Sequence, residues 1–158
     1  MKAKLALALR VVLGLIFCYA AYTKLRQPWL VFAMSIDAYR VLPPSAVFAV
    51  ARTLPWFELV VGLLLLSGKF LKFAAIGSTV LLFAFYTLMI RAYIAGGGID
   101  CGCFGVGETV SAVTLTRDGV LLACALALSF LAFRQSESTP SRQDTLRPVA
   151  APELPPTR

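Results

Sequence analysis

Four apolar stretches, each near the length needed to cross a bilayer, constrain this chain more than any other feature. A spanning helix needs about 20 predominantly apolar residues. The first stretch runs from Leu5 to Thr23, is broken only by Arg10, and ends at Lys24 and Arg26. The second is too short if it starts at Trp56, but reaches spanning length if it starts near Ser45 and carries Pro55 as an internal kink. The third runs from Phe70 to Ile90. The fourth runs from Leu115 to Phe133, with Thr114 or Thr116 as its N-cap and Asp118 in its first turn. In hydrocarbon, backbone polar groups must be paired within the segment, so these stretches predict helices. The fold class is all-α: a membrane-embedded four-helix bundle.

Composition supports this reading. Apolar residues make up 59% of the 158-residue chain and the mean hydropathy is +0.80, where a soluble domain is about half apolar. The net charge of +7 does not point to nucleic acid, because Lys and Arg flank the apolar runs and no basic stripe is interleaved with aromatics. Lys2, Lys4 and the small Ala20-Ala21 pair give the first stretch some likeness to a cleaved signal peptide. Arg10 within it and the three further spans argue for a retained helix. With the N-terminus inside, nine basic residues fall on the cytoplasmic side and six on the other, and the tight connection with Lys69 and Lys72 weighs most. The prediction is an N-in/C-in, multi-pass protein of the bacterial inner (plasma) membrane. The connection between spans three and four then lies outside the cytoplasm, where disulfides form.

Two segments are not spans. Residues 27–44 start near Pro28 and stop at Pro43-Pro44, with Trp29, Phe32, Ile36 and Tyr39 at helical spacing. They predict a short amphipathic helix at the interface after the first span. From Gln135 onward the chain is polar and Pro-rich. The organisation is therefore a transmembrane domain over 1–134 and a disordered cytoplasmic tail over 135–158.

The chain has no histidine. This removes His-ligated haem, most zinc sites and the Ser-His-Asp and Cys-His mechanisms. Attention falls on GGGIDCGCFG, residues 96–105, where Cys101 and Cys103 flank Gly102. A disulfide over so short a span forces unusual dihedrals that glycine accepts most cheaply. Strained, exposed disulfides tend to be labile and catalytic. Three readings compete: a redox pair, a soft-metal site that would have to recruit Cys18 and Cys124, and a turn with two structural cysteines. The redox reading is preferred, with no metal site, and Cys101 is the favoured attacking thiol. Asp100 opposes thiolate formation, while Arg91 or Arg117 is placed to offset it.

Cys18, Cys124, Glu58 and Lys24 are supporting candidates. Cys18 lies about 7 Å, and Cys124 about 6 to 13 Å, inward from the outer ends of their helices at 1.5 Å per residue. They are either a second dithiol or two small core residues, the latter being favoured. Glu58 is the acidic residue well inside a span, and intramembrane carboxylates are functional by default. Its partner is Arg52 or Lys24. The pair either pins the kinked helix or serves as a proton acceptor beside a quinone. No cofactor motif is evident, and quinone is the one carrier under consideration.

The CGCFG tract at 101–105, after a third span and before a fourth, resembles the MauE family of methylamine-utilisation membrane proteins, within the wider DoxX-like group. Also similar are Lys24-Leu25 followed by Pro28, Tyr39 with Leu42-Pro43, Leu54-Pro55 leading to Glu58 and Gly62, and Gly68 closing the second span. The resemblance covers about residues 5–134, and neither the long tail nor Cys124 maps onto it. It implies a four-helix inner-membrane protein linked to production of active methylamine dehydrogenase, whose small subunit is rich in disulfides. The expected function is a membrane thiol–disulfide oxidoreductase whose Cys101–Cys103 pair supports disulfide formation or electron transfer for an extracytoplasmic client, disulfide-containing or thioredoxin-like. Two alternatives stay open: a DoxX-like subunit of a quinone-linked respiratory or sulfur oxidoreductase, and a non-catalytic assembly factor.

Overall fold

The computed structural model describes residues 2–96, 98–103 and 107–137. Among these, five helices form: α1 (Lys2–Arg26), α2 (Trp29–Ala38), α3 (Pro44–Ser67), α4 (Leu71–Ile94) and α5 (Ala112–Glu137). All but α2 are long and apolar enough to cross a membrane, as the sequence predicts. Residues 135–137, assigned by sequence to the tail, are the last residues of α5. The rest of the predicted disordered tail lies outside the described residues.

Local sequence sets most of the boundaries. Pro44 opens α3 at a position where its missing N–H has no helical partner to lose. The helix then runs on through Pro55, which membrane helices tolerate when neighbours re-satisfy the freed carbonyl. It ends at Gly68, whose φ of +71° is left-handed and whose N–H donates to the Leu64 carbonyl at 3.0 Å. The start of α5 differs from expectation. Ser111, not Thr114 or Thr116, is the cap: the Thr114 N–H donates to Ser111 Oγ at 3.3 Å and the Ser111 N–H donates to Thr114 Oγ1 at 2.8 Å. This reciprocal pair starts the helix earlier, so Asp118 lies in the second turn rather than the first.

The spans close into a ring. α1 packs most extensively on α3 and α4 on α5, with α1–α5 and α3–α4 contacts completing it. Between α1 and α3 the backbones nearly touch. A Cβ placed on Gly62 would fall 2.7 Å from Cys18 Sγ and 3.0 Å from the Gly14 carbonyl oxygen. Small residues permit such approach between helices in lipid, where packing drives association. Leu13, Phe17, Leu65, Ala75 and Leu128 fill the centre. Leu63, Phe73, Val80 and Phe83 are each more than half exposed and form a lipid-facing surface. Arg10, the lone charge in the first apolar stretch, donates to the Leu66 carbonyl at 3.5 Å, where a cation suits the negative end of α3.

At the opposite end, α2 lies on α3. Phe32 and Ala33 pack with Val47 and Ala51, and Trp29 meets Phe48 edge-on at 5.7 Å. The expected interfacial helix is thus present, and its inner face is a wall of the bundle mouth.

Candidate functional site: the Cys101–Cys103 turn

The connection from α4 to α5 folds back on itself. The Cys101 N–H donates to the Glu108 carbonyl at 2.7 Å and the Val110 N–H to the Ile99 carbonyl at 2.9 Å, around an antiparallel bridge between Asp100 and Thr109. This pairing presses the cysteine turn onto the bundle end. Gly102 has a φ of +67°, and a Cβ there would lie 3.4 Å from Ser35 Cβ and 3.5 Å from Phe32 Cε2. The space is adequate; the left-handed backbone is what requires glycine.

Both cysteines are free thiols, but Cys101 is not the exposed group that a labile loop disulfide leads one to expect. It is 1% exposed, packed with Met89, Ala92 and Val110, while Cys103 is half-buried. The burial arises because α2 and the returning segment around Thr109 cover the turn, and the Tyr39 hydroxyl donates to the Cys101 carbonyl at 3.3 Å. Cys101 Sγ lies 3.7 Å from Glu108 Oε2, and Arg117 Nη1 grips both oxygens of that carboxylate at 2.9 Å. Cys103 Sγ lies 3.6 Å from the Cys101 carbonyl oxygen and 3.9 Å from Met89 Sδ.

The two thiols are driven apart in acidity. Cys101 is lowered to about 7, chiefly because the Cys103 thiol hydrogen-bonds to its thiolate; the Cys103 backbone and Arg117 assist, against burial and the Glu108 charge. Cys103 is pushed far up by the same hydrogen bond, by burial, and by the negative charges of Cys101 and Asp118, with Lys24 offsetting a little. Burial, before the charges of the two cysteines, raises the Tyr39 phenol. Asp100, expected to act on Cys101, lies in the antiparallel bridge with Thr109, and Glu108 is the carboxylate beside the sulfur. Glu108 is the residue that sequence reasoning missed, for its approach depends on the 99–110 pairing. Of the two cations considered, Arg117 fills the offsetting role.

Lys24 ties the turn to the bundle. It is 3% exposed, and its ammonium donates to Glu58 Oε1 at 2.8 Å, to Glu58 Oε2 at 2.9 Å and to the Cys103 carbonyl at 2.8 Å. All three N–H groups are therefore used, and the Phe32 ring centroid lies 5.4 Å from Nζ. Lys24, and not Arg52, is the partner of Glu58; Arg52 instead stacks on Trp29 at 4.8 Å.

The turn sits between two pockets. Cys103 lines one of about 40 Å³ with Glu58, Tyr86 and Asp118, between α1, α4 and α5. Cys101 lines another of about 140 Å³, walled by Phe32, Ile36 and Tyr39 on one side and Leu88 of α4 on the other. Phe85 borders both. Cys18 and Cys124 do not join this site. Cys18 fits against Gly62, Cys124 flanks the central core, and both are free. Among the described residues no group of three or more Cys, Asp or Glu is placed to hold a metal ion.

The sequence model of the family described as methylamine utilisation protein MauE matches residues 2–131. The chain is also 36% identical over 125 residues to the methylamine utilization protein MauE of Paracoccus denitrificans, covering 77% of this chain and 67% of that protein. No solved structure matches it. With a match that runs from α1 into α5, and four helices able to span a bilayer, the chain belongs to the MauE family and is a multi-pass inner-membrane protein.

Proposed function

We propose that this protein is a membrane thiol–disulfide redox protein whose Cys101 and Cys103 alternate between dithiol and disulfide for an extracytoplasmic partner in methylamine utilisation. One observation carries the reading: an acidified Cys101 beside a protonated Cys103 in a glycine turn held from both sides. The thiolate is the attacking species in exchange, and a pKa near ambient pH is the favourable compromise between thiolate fraction and nucleophilicity. The family relationship supplies the metabolic setting, and the bias of basic residues supports an outward-facing cysteine end.

The exchange balances. A Cys101 thiolate attacks one sulfur of a partner disulfide, forming a mixed disulfide and releasing the partner's other sulfur as thiolate. Cys103 then attacks Cys101 Sγ, closing the Cys101–Cys103 bond and freeing the partner as a dithiol. The reverse sequence, through the same mixed disulfide, oxidises the partner. Glu108 stands 3.7 Å from Cys101 Sγ as a proton acceptor, and Lys24 and Tyr39 fix the carbonyls on either side of Gly102.

Alkylation trapping in intact cells tests this. Cys101 and Cys103 should shift between alkylatable and protected forms with oxidant, and Cys103→Ser should accumulate mixed disulfides. Thiols that stay alkylatable under every condition sink the proposal.

A further inference from the structure

Three sulfur atoms gather where α4 ends. Met89, near the end of that helix, is fully buried and packs in one cluster with the equally buried Cys101. Cys103 joins them from the turn: its Sγ is 3.9 Å from Met89 Sδ, and its thiol hydrogen-bonds to Cys101. A metal–sulfur bond of about 2.3 Å sets the sulfurs of a trigonal site about 4 Å apart, so the edge from Cys103 to Met89 has the length such a site requires. An ion at the centre of three sulfurs needs no cavity of its own. Both cysteine carbonyls are pinned, that of Cys101 by the Tyr39 hydroxyl at 3.3 Å and that of Cys103 by Lys24 at 2.8 Å, so the sulfurs are supported from behind. The third sulfur comes from neither Cys18 nor Cys124 but from a thioether 14 residues before Cys103.

The donors select the metal. Thiolate and thioether are soft ligands and favour Cu(I). Zinc takes four ligands from thiolate, imidazole and carboxylate. The chain has no histidine, and the Glu108 carboxylate beside Cys101 has both oxygens held by Arg117 at 2.9 Å. Calcium and magnesium need sets of oxygen ligands, which the sulfur cluster does not offer. We propose that the reduced protein binds one Cu(I) ion between Cys101 Sγ, Cys103 Sγ and Met89 Sδ. Binding forms two thiolate–copper bonds and one thioether–copper bond, and releases to solvent the protons that the thiols carry; no electron is transferred. The filled site has one net negative charge, which the nearby Lys24 and Arg117 cations favour. Copper and the disulfide compete for the same two sulfurs. Only the dithiol form binds, therefore, and a bound ion blocks the exchange described above. The site itself does not depend on that exchange.

The test is anaerobic titration of the reduced full chain, in lipid nanodiscs, with Cu(I) held by the chromophoric chelator bicinchoninate, followed by X-ray absorption at the copper edge. Wild type should withdraw one Cu(I) per chain and show three sulfur neighbours at about 2.3 Å. Met89→Leu keeps the packing volume and both thiols. It should weaken binding at least about tenfold, since even losing a residue behind a metal ligand costs that much, and its copper should show two sulfur neighbours. Cys101→Ser and Cys103→Ser should each abolish binding, whereas Cys18→Ala with Cys124→Ala should bind as wild type does. If copper fails to bind while the cysteines still cycle in cells, the site falls and the redox reading stands. If copper binds and the cysteines never cycle, the redox reading fails and the site stands. Wild-type affinity with an unchanged copper spectrum in Met89→Leu, or displacement of Cu(I) by an equal concentration of Zn(II), also overturns the site.

Discussion

Lys24 and Glu58 meet at 2.8 Å inside the bundle, each less than 5% exposed, and the same ammonium holds the Cys103 carbonyl. A charge pair in the span is thereby coupled to the turn that holds Cys101 and Cys103. Buried pairs are poor evidence of net stabilisation, yet breaking one is expensive because the survivor is left uncompensated.

Lys24→Met should therefore destabilise the protein by about 3–5 kcal/mol, read from denaturant unfolding in detergent micelles. Adding Glu58→Leu should recover most of that loss. A double variant as unstable as the single would show that Lys24 acts through something other than Glu58.

The reduced protein should show a Cys101 alkylation rate rising through a midpoint near pH 7. Arg117→Gln should move that midpoint up and Glu108→Gln should move it down, each by roughly one pH unit, since the cation favours and the carboxylate opposes the thiolate. Linkage gives the matching stability trend. Cys101 is lowered on folding, so its contribution is absent below about 7 and complete above the ordinary 9.0. Cys103 is raised, so its contribution is present below 9.0 and declines above it. Stability of the dithiol form should rise from pH 7 to 9 and then turn over. A flat profile in the wild type, or a rise that persists in Cys101→Ser, would refute the assignment.

Gly102→Ala places a side chain at a φ of +67°, which costs about 1–2 kcal/mol. Thermal unfolding should drop accordingly, and exchange with a small-molecule disulfide should slow as the turn shifts. Unchanged stability and rate would mean that the turn relaxes freely and that its geometry is not required.

Cys18→Ala with Cys124→Ala should retain redox cycling at Cys101 and Cys103, because both residues act as small packing groups. Gly62→Val, by contrast, drives a side chain into Cys18 and Gly14 and should lower stability by about 1–3 kcal/mol. Loss of cycling in the double alanine variant would instead indicate an electron relay through the bundle.

The spans were legible because lipid leaves little choice: apolar length dictates a helix, and Pro55 does not end one when neighbours enclose it. Lys24 was legible as a partner because it ends the first span on the side where Glu58 sits. The CGC tract stood out as a candidate because few other reactive groups exist in a chain without histidine. What escaped depended on pairing across the α4–α5 connection. Nothing in the order of residues places Glu108 beside Cys101 until Cys101 and Glu108 share a backbone hydrogen bond. The same pairing, together with α2 folding inward, buries Cys101. The true cap of α5 was missed for a smaller reason: Ser111 and Thr114 each accept from the other's backbone, and sequence alone favoured the hydroxyl nearer the apolar run.

The ammonium that anchors the turn lies 79 residues before the carbonyl it holds, and the guanidinium that acidifies Cys101 comes later still, on the last span. During synthesis the anchor enters the membrane first and waits, while the thiols emerge before Arg117 has been inserted. In a half-made chain the Cys103 hydrogen bond to Cys101 is thus available before the guanidinium, and Arg117's smaller share of the acidity is the last to arrive.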